Sequence, residues 1–144
     1  MTVPGGDAEP QQIMLVEGND GHARMIHRVV DELPMTVALR RYTDGESAID
    51  DLLDRHATGS LPWLVLLSIS LPGFDGLDVL RILQAHAITP TLPVIVYSRR
   101  REPELSRRCL DLGAASYLRQ SPTIEPWLER LRDLPVIRDR LAPA

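Results

Sequence analysis

Trp63-Leu64-Val65-Leu66-Leu67 runs directly into Ser68-Ile69-Ser70 and then into Leu71-Pro72-Gly73-Phe74-Asp75-Gly76. A short apolar run closed by a loop carrying Pro and Gly suits a β-strand buried on both faces. What lies on either side decides how it is covered. Upstream, Ile13-Met14-Leu15-Val16 ends at Glu17-Gly18-Asn19-Asp20, and Asp20 is placed to cap a helix carrying Met25, Ile26, Val29, Val30 and Leu33 on one face before Pro34 stops it. A second strand is predicted over 36–41, with Val37 and Leu39 alternating against polar neighbours. After the Asp44-Gly45 turn, Ala48, Ile49, Leu52 and Leu53 mark a second helix that ends before Gly59. Downstream, Leu77, Val79, Leu80 and Leu83 make a third helix, with Asp75 as its cap. Pro93-Val94-Ile95-Val96-Tyr97 is a fourth strand, with Pro93 where its missing amide hydrogen does least harm. A fourth helix over 102–112 closes at Gly113, a fifth strand follows over 114–118, and Ile124, Leu128, Leu131 and Leu134 mark a fifth helix interrupted by Pro135.

Five apolar strands alternating with five amphipathic helices imply one α/β domain, a doubly wound parallel sheet of (βα)5 form covered on both faces. Residues 1–11, rich in Pro, Gly and Asp, read as a loose tail. The domain proper spans 12–134, and 135–144 form a C-terminal extension of weak periodicity, either one further turn or a frayed end. At 144 residues the chain is long enough to bury a core without disulfides or a structural metal. Its 44% apolar and 25% charged content excludes a disordered or fibrous class. A net charge of -4 argues against nucleic acid as the main partner. The start of the chain has no signal-peptide pattern, and no run reaches membrane-spanning length, which together point to the cytoplasm. The single Cys109, beside Leu110 on a helix, reads as a buried inert thiol in a reducing compartment.

In parallel sheets ligands gather at the carboxyl ends of the strands. Four blocks lie there: IMLVEGN (13–19), LLSISLPGFDG (66–76), PVIVYS (93–98) and GAASYLRQ (113–120). In this order and at these separations they resemble the receiver domain of bacterial two-component response regulators, over about residues 12–134. The resemblance implies a flavodoxin-like fold with strand order 2-1-3-4-5. It also implies a particular chemistry. A carboxylate on the third strand accepts a phosphoryl group, carboxylates beside the first strand hold Mg²⁺, and a lysine with a Ser or Thr hydroxyl steadies the phosphoryl oxygens.

Carried over position by position, that chemistry breaks. Ser68 stands at the acceptor, Gly18 at the main metal-binding acid and Gln120 at the lysine. Glu17 and the Ser98 hydroxyl remain, Tyr117 holds the aromatic switch place, and Ser70 joins the degenerate pocket. The family's proline directly after the lysine is displaced by one residue, to Pro122. A serine hydroxyl needs an adjacent base to become a nucleophile. His22, His27, His56 and His86 all fall on helices or their edges, so none is expected at a strand end. Glu17 is at most a weak Mg²⁺ ligand, and metal binding is expected to be weak or absent. No cofactor is expected.

The resemblance with these losses implies a pseudo-receiver: a non-enzymatic signalling module acting by protein–protein contact without phosphorylation. Its partners are expected to be proteins of a signalling pathway, such as a histidine kinase or a regulator, or a second copy docked through the fourth helix, fifth strand and last helix. Two alternatives stay open: a receiver accepting phosphate on another residue, and a sensor of a small anion held by Ser68, Ser98, Gln120 and Arg99. The joint loss of acid and lysine suits a domain settled in one state; simple drift of the pocket is the other explanation.

Arg99-Arg100-Arg101 follows Ser98 directly, with Arg107-Arg108 two turns on. Cations at a helix start oppose its dipole, at about 0.3–1 kcal/mol each when exposed. Glu102 and Glu104 offset part of this. Such placement suits an acidic partner or a phosphate-bearing ligand near Ser98; the alternative is a solvated basic loop. Ser98, Arg99, Arg100, Tyr117 and Trp127 are therefore the candidate switch and interface residues. Trp127, off the Ile124–Leu128–Leu131 face, is expected to project partly outward.

Overall fold

In the computed structural model, which describes residues 11–100 and 102–141, strands and helices alternate as the apolar runs imply. The order is β1 (Gln11–Val16), α1 (Asp20–Asp31), β2 (Val37–Tyr42), α2 (Gly45–Thr58), β3 (Leu64–Ser68), α3 (Gly76–Ala85), β4 (Val94–Ser98), α4 (Pro103–Asp111), β5 (Ser116–Arg119), α5 (Ile124–Asp133) and α6 (Pro135–Leu141). All strand pairs are parallel, and the sheet order is β2-β1-β3-β4-β5.

Alternation hidden inside the continuous apolar runs divides the core in two. Ile13 and Leu15 of β1, Leu64 and Leu66 of β3, and Ile95 and Tyr97 of β4 face α1 and α5. Met14, Val16, Val65, Leu67, Val94 and Val96 face α2, α3 and α4. Successive strand side chains point to opposite faces, so a strand buried on both must be apolar throughout. Each Val or Leu fully covered in this way contributes about 1.5–3 kcal/mol.

Local chemistry sets the element ends. Asp75 caps α3 in a reciprocal box, its carboxylate accepting from Asp78 N at 2.9 Å while Asp78 accepts from Asp75 N at 3.1 Å. Pro93 precedes β4, and its carbonyl accepts from Val65 N at 3.0 Å. Gly76 has no room for a side chain, because a Cβ there would lie 2.7 Å from the Ser68 carbonyl oxygen. This close approach brings the start of α3 against the end of β3.

Several expectations need correction. Asn19, not Asp20, caps α1: its Oδ1 accepts from His22 N at 2.9 Å, three residues on, where a capping side chain reaches. Asp20 instead opens the helix and pairs with Arg41 at 2.9 Å. Trp127 does not project outward. It is 2% exposed, set edge-on to Tyr97 with ring centroids 5.1 Å apart, and its Nε1 donates to the Ser121 carbonyl at 2.8 Å. Helix α5 is rotated so that Trp127 and Leu131, four residues apart, face the sheet together. The indole is admitted because its one polar atom finds an acceptor. After Pro135 the chain forms α6, whose Ile137 is 1% exposed and joins the α1–α5 side of the core. Of the N-terminal tail, Gln11 opens β1, and residues 1–10 lie outside the described residues, as do Arg101 and 142–144.

Cys109 is fully buried in the opposite half of the core, and burial pushes its thiol up to about 11. Because burial disfavours the thiolate, this group is neutral in both states below the ordinary 9.0, and it lowers stability as pH rises from there through about 11. At neutral pH the native protein is expected to resist a disulfide reagent, with labelling rising in step with denaturant unfolding. Rapid stoichiometric labelling of the folded chain would contradict this burial.

Candidate functional site

The carboxyl ends of β1, β3 and β4 bring the polar residues together. Glu17 follows β1, Ser68 ends β3, Ser98 ends β4, and Gln120 follows β5 with its backbone N–H donating to the Ser98 carbonyl at 2.8 Å. Around them is a cavity of about 220 Å³ whose wall includes Glu17, Ser68, Ser70, Ser98, Arg99, Arg100 and Gln120. Two other cavities open at the amino ends of the strands, one near Gln12 and Arg55, the other near Pro93 and Ser116. Neither gathers a comparable set of charged and hydroxyl groups.

Gly18 is not part of this wall. It is exposed, and a Cβ there would lie 3.1 Å from the Thr43 carbonyl oxygen and 3.2 Å from Pro72 Cδ. The loop after β3 therefore closes over the backbone of Gly18. Tyr117 also stands off the wall, half-buried, with its hydroxyl donating to the Arg100 carbonyl at 3.4 Å. Trp127 lies inside the core.

Glu17 is 1% exposed, so its two oxygens must be satisfied internally. Oε1 accepts from the Tyr97 hydroxyl at 2.7 Å and Oε2 from Asn19 N at 3.1 Å. The Glu17 carbonyl accepts from Arg41 Nε at 2.9 Å. Burial first, then the neighbouring Glu17 charge, hold the Tyr97 hydroxyl well above its ordinary 10.0, so it stays a donor. Ser68 is 5% exposed: Oγ accepts from Ser70 N at 3.2 Å, lies 3.3 Å from the Ser70 carbonyl, and also bonds the Tyr97 hydroxyl. Ser98 Oγ accepts from Arg100 N at 3.0 Å.

Asn19, His22, Tyr97 and Arg41 are site residues that sequence reasoning missed. His22 belongs to the cavity wall, contrary to the expectation that no histidine reaches the strand ends. It sits in the first turn of α1, which starts directly above the pocket. The Arg99 guanidinium lies against its Nε2, and Nδ1 is 3.7 Å from Glu17 Oε1. For Tyr97 a signal existed. A phenol near the end of a strand buried on both faces must find a polar partner, and Glu17 is the acid at the neighbouring strand ends. Arg41 carried no such signal, because its role depends on the pairing of β1 with β2.

A five-stranded parallel sheet in this order, with its polar groups at the ends of β1, β3 and β4, defines an α/β receiver module. Residues 13–131 match the response regulator receiver domain, and the chain belongs to that family of two-component signalling domains. It is 34% identical over 111 residues to a probable methanogenesis regulatory protein, FilR2, of Methanothrix harundinacea (strain 6Ac), covering 76% of this chain and 72% of that protein. It is 30% identical over 107 residues to protein-glutamate methylesterase/protein-glutamine glutaminase 3 of Geobacter sulfurreducens, covering 74% of this chain but 27% of that longer protein. Among solved structures, the response regulator receiver domain from Rhodospirillum rubrum superposes with a TM-score of 0.73 at 26% identity, over 92% of this chain and 96% of the other. The phosphorylated cyanobacterial phytochrome response regulator RcpA gives 0.74 at 24% identity over 92% of each chain, a likeness of fold alone. No helix of the described residues is long and apolar enough to cross a membrane.

Proposed function

We propose that this receiver signals without accepting phosphate, by protein contact through the surface formed by α4, β5 and α5. The observation that carries the reading is Ser68. It occupies the strand end where a receiver presents its acceptor carboxylate, and its hydroxyl is bonded to the backbone of Ser70. An un-ionised alcohol there needs a base, and His22, the imidazole in the cavity wall, is engaged by Arg99 and faces Glu17.

The donor set does not fit Mg²⁺, which wants near-octahedral oxygen ligation. Among the described residues Glu17 is the one carboxylate in the wall, and both its oxygens already accept hydrogen bonds. Gly18 offers no ligand. The family's lysine is Gln120, and the chain contains no lysine that could replace it from elsewhere. These residues supply neither nucleophile, metal clamp nor ammonium, so no phosphotransfer step is assigned to them.

For output, α4 carries the features of a contact surface. Leu110 is 47% exposed, among exposed Arg107 and Arg108, and Arg100 stands at the edge where Tyr117 meets the backbone. An exposed apolar residue one helical turn from Arg107 suits an acidic protein surface. A histidine kinase, another regulator of the pathway or a second copy of the chain are the candidate partners.

Incubation with acetyl phosphate and Mg²⁺ is expected to leave the intact mass unchanged. A stoichiometric adduct labile to both acid and base would overturn the reading, because that lability marks an acyl phosphate.

A further inference from the structure

The cavity has an uneven distribution of charge. Its one carboxylate, Glu17, is turned inward, with its oxygens held by Tyr97 and Asn19. Its cations, Arg99 and Arg100, stand at the exposed rim. Arg99 spends one donor on His22, and a guanidinium carries five, so most of its hydrogen-bonding capacity faces elsewhere. Ser68 and Ser98 bring hydroxyl groups to the same hollow. An entering ligand thus meets two exposed arginines at the rim before it meets a buried carboxylate that already accepts two hydrogen bonds.

We infer that this cavity binds a free small oxyanion of the inorganic phosphate class, reversibly and without metal, with Arg99 and Arg100 as its principal holders. The inference rests on the reading above that the pocket does not transfer phosphate. Guanidinium groups present paired donors in a plane that matches phosphate oxygens, and they remain charged at any relevant pH. The volume of about 220 Å³ has room for a small anion with some of its water. Among the described residues no Phe, Tyr or Trp belongs to the wall, so its recognition chemistry is that of hydroxyl and guanidinium groups. In a receiver of the usual kind, clustered carboxylates repel such an ion until a metal neutralises them. Here Gly18 and Ser68 have removed that repulsion, and arginine takes over the attraction the metal would supply.

The test is calorimetric titration of the full chain with inorganic phosphate in buffer containing EDTA, with sodium chloride at matched ionic strength as the blank. Saturable binding is expected. Arg99→Gln and Arg100→Gln should each weaken it by about tenfold or more, the loss expected for a charge-assisted hydrogen bond. Arg108→Gln, on α4 but outside the cavity wall, should leave it unchanged, and circular dichroism checks that each variant folds. Backbone amide shifts confined to 98–100 and 120 would place the ion. Absence of binding at millimolar phosphate, a requirement for Mg²⁺, or equal weakening by Arg108→Gln would each overturn the inference. The two claims fail separately: covalent labelling by acetyl phosphate sinks the phosphate-independent reading, whereas an unlabelled protein that ignores phosphate sinks only this one.

Discussion

Trp127→Ala is expected to cost about 3–5 kcal/mol of folding stability, the range for truncating a large aromatic in a core. The sequence made this residue a candidate contact for a partner, and an exposed Trp would cost little to remove. The structure has it 2% exposed, packed edge-on to Tyr97 and hydrogen-bonded to the Ser121 carbonyl. Truncation opens a cavity beside β4 and leaves that carbonyl without its donor. Against a total stability of about 5–15 kcal/mol, the loss brings the domain near its unfolding threshold. Trp127→Phe keeps most of the ring but not the donor, and should cost about 1–3 kcal/mol through the orphaned carbonyl. Far-UV circular dichroism through a urea series measures both. A Trp127→Ala protein within about 1 kcal/mol of the wild type would put the indole at the surface.

Gly18→Asp with Ser68→Asp, which restores the carboxylates of a phosphate-accepting receiver, should destabilise the metal-free protein by roughly 3 kcal/mol. The new carboxylates join Glu17, which is 1% exposed and already has its oxygens occupied. For a domain of this size the loss lowers Tm by roughly 6–12 °C. Part of it is steric, since a Cβ at Gly18 meets Thr43 and Pro72, and Gly18→Ala isolates that part. The electrostatic part is separable by pH. Crowding raises the folded-state pKa of the added acids, so their penalty is absent below the unfolded value of about 4 and develops as pH rises through the folded one. Steric cost does not titrate. Magnesium should return stability to the double variant and not to the wild type, by mass action on a site only the variant possesses. A double variant as stable as the wild type in EDTA at neutral pH would show that carboxylate crowding does not govern this pocket.

The two experiments probe opposite kinds of information. Ser68, Gly18 and Gln120 were identifiable along the chain because strand ends are marked by where apolar runs stop, and a strand end needs no partner to be located. His22 was not, because it reaches the pocket only once α1 is laid over the end of β1. Arg99 was legible as a cation beside Ser98, but its bond to His22 joins residues 77 positions apart. The Glu17–Tyr97 bond spans 80 positions and exists only because β1 and β4 flank β3 in the sheet.

Sequence alone determined the parallel α/β layout, since the unbroken apolar runs of β1, β3 and β4 can be buried only between two layers of helices, and it named the chemical groups at the strand ends. Tertiary structure decided which way the helices turn and which of those groups meet. The rotation of α5 sets Trp127 edge-on to Tyr97 in the interior rather than at the surface. Periodicity reports that a helix has an apolar face; the surface it lands on chooses which residues fill it.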